Sequence, residues 1–290
     1  MAAENWSRKT WFLAGPVMLS NISVPLLGIV DTAVVGHLPG PYFLGAVAVG
    51  ALIFSVIYQG CNFLRMGTTG LTAQSLGARD PDEVRTWLAR AGLLAICIGV
   101  LLIALQSPVI WASLKIVNPG PQVQPLADAY FSIRIWGAPM ALLNLAMLGW
   151  FFGIQNTRAA LATQVFMNGV NIVLDLWFVI GLGWGVEGVA WATLISEVSA
   201  IALGAWIVRR NLRRVGGHWH MGGVINAERL ARMVRVNGDI FIRSMCLQAA
   251  FVLVISIGAR MGDLTLAASG ILHPVIGGPG VYPPQPDGVY

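Results

Sequence analysis

Charge is what this sequence has least of. Only 11% of its 290 residues are charged and 56% are hydrophobic, against about 25% and about 45–50% in a soluble domain. A water-soluble fold and a disordered chain are both excluded by that balance. Cysteine is scarce as well: Cys61, Cys97 and Cys246 are an odd set with no paired spacing. That excludes a disulfide framework and a cysteine metal cluster, and predicts buried single thiols. Catalytic signatures are missing too. The chain has no Gly-x-Ser-x-Gly, no His-Glu-x-x-His, no Walker A loop and no dinucleotide fingerprint, so neither an enzyme nor an ATP-driven pump is supported and no cofactor is expected. The net charge of +5 does not point to nucleic acid, because the cations sit between apolar runs.

What is present is length without polarity. At roughly 20 apolar residues per span, the chain holds about seven or eight helices and little else. Seven are predicted, at 11–36, 43–66, 87–109, 130–153, 160–182, 187–208 and 238–260, with an eighth beginning near Leu264. The first is too long for a signal-peptide core and lacks a small-residue cleavage site, so it stays as a span. Arg8, Lys9, Arg79, Arg85, Arg158 and the series from Arg209 to Arg235 fall in alternate loops. Positive loops face the cytoplasm, so the N-terminus is expected there, in the inner membrane of the cell. The domain reading is an N-terminal six-helix lobe at 1–210, a cytoplasmic Arg-rich linker at 211–237, and the start of a second lobe at 238–272. His218 and His220 in the linker are too few for a metal site. A faint repeat links Gly36-His37-Leu38-Pro39-Gly40 with Gly258-Ala259-Arg260-Met261-Gly262, six spans apart and so in the same direction. Residues 273–290, rich in proline and glycine, cannot be helix interior, and the chain reads as cut off within its second lobe.

Ionisable groups inside a membrane are costly and mark function by default. Asp31 lies deep in the second half of the first span, fifteen residues after Pro16, which removes a backbone hydrogen bond and bends the helix. Asn168, Asn171 and Asp175 are spaced i, i+3, i+7 and share one face of the fifth span; Val170, Val173, Leu174, Trp177 and Phe178 form the other. Thr193 offers a hydroxyl in the sixth span, with Glu197 one turn on and Glu187 at the outer mouth. Gln59, Asn62 and Arg65 form a second polar set, in which the arginine is expected to snorkel to the interface. Glu197, Asn168 and Asn62 are candidates for a polar cavity. Carboxylate, amide and hydroxyl oxygens suit either proton exchange or a hard cation such as sodium, and the residue types do not choose between them.

Several of these stretches resemble the multidrug and toxic compound extrusion (MATE) family, most closely its DinF-like branch. They are Gly15-Pro16, the run Val30-Asp31-Thr32-Ala33-Val34-Val35-Gly36-His37, Arg65 to Gln74, Gly153 to Arg158, Asn171 to Val179 and Gly188 to Thr193. The resemblance covers about residues 10–270. It implies an all-α polytopic membrane protein built from two parallel six-helix lobes, of which this chain holds one and the first one to two helices of the other. It also implies a cation or proton site at Asp31, Asn171, Asp175 and Thr193, bending of the first span at Pro16, and antiport of H+ or Na+ against lipophilic or cationic compounds. The bilayer and such small compounds are then the expected partners. The rivals are a flippase for lipid-linked precursors, which needs a cationic cavity, and a non-transporting fragment or scaffold.

Overall fold

The computed structural model describes residues 15, 18–19, 30–218, 224 and 226–260. Most of the first span, with Pro16, lies outside them, as do His220, the far end of the expected repeat and everything after 260. Among the described residues every regular element is helical. After helical backbone at 30–35 come α1 (Pro41–Gly60), α2 (Phe63–Gly77), α3 (Pro81–Ala104), α4 (Gln106–Val117), α5 (Val123–Arg134) and a 3-10 turn (Ile135–Gly137). These are followed by α6 (Ala138–Gly153), α7 (Thr157–Asp175), a π-helical segment (Leu176–Gly181), α8 (Gly185–Val215) and α9 (Ala227–Arg260). Five stretches are long and apolar enough to cross a membrane: Pro41–Gly77, Pro81–Ala104, Val123–Gly153, Thr157–Gly181 and Gly185–Val215. They correspond to the predicted second to sixth spans. Helix α8 runs on to Val215 and α9 begins at Ala227, so helices occupy both ends of the stretch expected as linker. The chain divides into two compact units, Met1–Gly238 and Asp239–Tyr290.

Helix boundaries follow local chemistry. Pro81 opens α3, Asp80 accepts from the Glu83 N–H at 3.0 Å, and Asp82 and Glu83 place negative charge at the positive helix end. Asn156 caps α7 in the same way, accepting from Ala159 N–H at 3.2 Å. Asn118, at φ 47°, closes α4 in the left-handed region. Helix α8 ends on basic Arg213 and Arg214, and Arg85 of α3 donates to the carbonyls of Leu212, at 2.6 Å, and Gly216 at that end. Position 218 belongs to this same end, its backbone N–H bonding Asp82 at 2.6 Å.

Helix α6 is the hub, packed on α2, α3 and α8, while α7 pairs with α8 and α1 with α5. Small residues allow the close approach. Gly149 and Gly153, one turn apart on α6, face α2: a Cβ at Gly149 would lie 2.5 Å from Arg65 O and one at Gly153 2.5 Å from Thr72 Cβ. Thr69 also donates to Gly149 O across this contact at 3.1 Å. Gly149→Leu is therefore expected to cost about 1–3 kcal/mol by overpacking, read as a lower unfolding temperature in detergent. An unchanged Tm would show that the two helices are less tightly seated.

The outward faces carry large apolar side chains such as Leu52, Val100, Val173, Trp177 and Trp206, the inverse of a bundle in water and suited to lipid. This corrects the expectation for cysteine: Cys61 is buried, but Cys97 and Cys246 are exposed, because an apolar thiol meets no penalty in lipid. Phe178 is likewise buried and stacks on Trp184 at 4.9 Å instead of facing out with Val173. The π turn that begins just after Asp175 shifts the register.

Candidate cation site

The fifth predicted span delivers its polar stripe to the interior. Asn168, Asn171 and Asp175 on α7 are all buried. Asp31, in the helical turn before Gly36, brings its carboxyl within hydrogen-bonding reach of that of Asp175. An ionised carboxylate only accepts, so a bond between the two forms when one of them holds a proton. Thr193 comes from α8 and donates to Val189 O at 2.9 Å. Turning the Asn171 amide so that both its ends are satisfied lets its nitrogen donate to Asp175 Oδ2 at 3.2 Å and its oxygen accept from Thr193 N–H at 3.2 Å. The resulting group combines two carboxyls, an amide and a hydroxyl, drawn from three helices. Asp31 Oδ1 and Asp175 Oδ1 are buried acceptors with no hydrogen-bond partner among the described residues. Free acceptor oxygens of this kind attract a proton or a hard cation.

The other candidates separate. Asn168 accepts from Gln164 at 3.2 Å, one turn toward the start of α7. Asn62 accepts from Arg65 Nε at 3.0 Å, within its own turn at the α1–α2 break. Arg65 therefore folds back on Asn62. Glu187 is exposed in the first turn of α8, where the helix dipole favours it. Glu197 is buried and ion-paired with Arg134 at 3.0 Å.

Arg134 is the residue the sequence reading passed over. It ends α5, at the 3-10 break before Pro139, in the middle of the candidate span Val123–Gly153. A lone arginine between Ile133 and Ile135 was the available signal. Its guanidinium lies over the faces of Phe54, at 4.9 Å, and Tyr58, at 5.9 Å. Gly137 makes room for its partner, since a Cβ there would lie 2.5 Å from Glu197 Oε2. Elsewhere, a cavity of about 840 Å³ is lined by Gln74, Glu83, Trp87, Arg229, Arg232 and Arg235. None of its lining residues belongs to the carboxyl group.

With this geometry in place, the comparisons agree on one family. The MatE family model matches residues 16–177, more than half of the chain. The chain belongs to the MATE family. DNA damage-inducible protein F of Escherichia coli (strain K12) is 42% identical over 262 residues, which is 90% of this chain and 57% of that protein. A probable multidrug resistance protein NorM of Caulobacter vibrioides is 28% identical over 70% of this chain and 44% of its own length. Among solved structures, a MOP superfamily transporter from Pyrococcus furiosus aligns with a TM-score of 0.77 at 25% identity, over 91% of this chain and 59% of that one. The chain thus spans about half the length of the relatives it matches. Within the family, it is a multi-pass, all-α membrane protein.

Proposed function

We propose that this MATE protein works as a cation-coupled antiporter that exports lipophilic and cationic compounds by alternating access. The observation that carries this reading is the close pairing of the Asp31 carboxyl with the buried Asp175, beside Asn171 and Thr193 where three helices meet. Protonation or sodium binding there neutralises a buried charge. It biases the transporter between outward- and inward-facing states only because the cation binds the two states unequally. Pro16 is the hinge that lets the first helix bend and carry Asp31 toward or away from Asp175. The names of relatives, which include a probable multidrug resistance protein, support export as the direction. The alternate placing of arginines supports a cytoplasmic N-terminus in the inner membrane. A flippase for diphosphate headgroups is less well supported, because the cations held inside, Arg134 and Arg90, are already engaged by Glu197 and Glu83.

The test is fluorescent-dye efflux from pump-deficient cells expressing the protein. Efflux that follows an imposed proton or sodium gradient supports the reading, and the two gradients applied separately name the ion. Dye retention equal to that of empty cells contradicts it. Within the site, Thr193→Val removes one neutral oxygen. It is expected to weaken cation binding by about 1 kcal/mol, or roughly fivefold, seen as a shifted cation concentration for half-maximal efflux. An unshifted curve would remove Thr193 from the site.

A further inference from the structure

The interior holds two ionisable groups that the cation-site reading leaves unused, Arg134 and Glu197. Three carboxyls and one guanidinium share it: Asp31, Asp175, Glu197 and Arg134. Arg134 binds Glu197 directly at 3.0 Å, and its charge also reaches Asp31 and Asp175. Tyr130 is within electrostatic reach of all four groups, and Tyr58 of Arg134 and Glu197. The guanidinium has little freedom to leave. The rings of Phe54 and Tyr58 flank it, its side chain is 12% exposed and that of Glu197 7%.

The sum of charges gives this arrangement a purpose. With one proton between Asp31 and Asp175, that pair carries one negative charge, Glu197 a second, and Arg134 one positive charge. The lobe interior is then a single positive charge short of neutrality. Without Arg134 it would be two short, and Glu197 would have to find a cation of its own.

We infer that Arg134 is the fixed counter-charge of this interior: it holds Glu197 in a permanent ion pair and so confines cation exchange to Asp31 and Asp175. This role rests on the cation-site reading and adds a division of labour among the acids. Arg134 is a positioning residue. It touches no transported cation and acts through Glu197 and through its field on the aspartates.

A membrane-permeant carbodiimide tests it on the purified protein without any transport assay. The reagent takes up a protonated carboxyl, whose O–H adds across a C=N bond with nothing leaving, and it ignores an ionised one. In the wild type, peptide mass mapping should find the adduct on Asp31 or Asp175 and none on Glu197. In Arg134→Gln, Glu197 loses its cation, takes a proton and should be modified at least about tenfold more, the population change of one pH unit. Arg134→Lys keeps the charge and should leave Glu197 unmodified. Glu197 modified in the wild type as readily as Asp175 overturns the inference. So does an unmodified Glu197 in Arg134→Gln when Asp31 or Asp175 still reacts in the same sample. If Arg134→Gln does not survive purification, the wild type decides by the same criterion. A wild type with no adduct on either aspartate at any pH refutes the cation-site reading itself, a distinct result, and the inference falls with it.

Discussion

Asp175→Asn should abolish cation-coupled efflux while leaving the protein folded and inserted. Asparagine keeps the size of the side chain and can still bond to Asn171. It cannot bind and release a proton, and it offers no charge to sodium. A cation bound there would lose a carboxylate that offsets its desolvation, a buried charge left without its counter-charge costing about 3–5 kcal/mol, or more than about a hundredfold in cation affinity. Asp31→Asn should do the same from the other side of the hydrogen bond. The check is dye efflux from pump-deficient cells beside a blot for membrane insertion. Efflux within twofold of wild type from either variant would remove that residue from coupling.

The second large effect is on stability. Arg134→Leu takes the cation away from Glu197 at a position 5% exposed. The expected loss is about 3–5 kcal/mol, because a buried carboxyl without its partner must either stay charged in the interior or take up a proton to lose that charge. Arg134→Met combined with Glu197→Met removes both charges and should recover most of that loss. Unfolding temperatures of Arg134→Met, Glu197→Met and the double variant in detergent form a double-mutant cycle. If the double variant is no more stable than Arg134→Met, the pair is not what holds α5 to α8.

These two predictions differ in how far the sequence announced them. Asp31 and Asp175 stand out because so few charges occur in the apolar runs, and the i, i+3, i+7 spacing of Asn168, Asn171 and Asp175 already placed them on one face. The packing of α7 against α8 then turned that face inward. The contact of Thr193 with Asn171 depends on two helices meeting, which no local pattern encodes. Arg134 was hidden for another reason. It sits four residues inside the predicted fourth span, where arginines near a helix end are expected to snorkel. Its burial comes from the 3-10 break at Ile135–Gly137 and from the glycine at 137, which let Glu197 approach. Span positions were readable from hydropathy, but their ends were not. Helix α8 extends into the Arg-rich stretch because cationic side chains favour a helix C-terminus, and α9 begins within it because arginine is a good helix former. Outward-facing Cys97 was misjudged by a rule learned from water, where a thiol hides.

The central claim is that the Asp31–Asp175 group couples a cation to export. Its most direct measurement is cation-driven dye exchange in proteoliposomes of the purified protein, with proton and sodium gradients imposed one at a time and Asp175→Asn reconstituted in parallel. The account predicts dye movement against the direction of one cation gradient, stopping when that gradient is collapsed and absent from Asp175→Asn. Dye movement that persists unchanged without either gradient, or that survives the loss of Asp175, would contradict it.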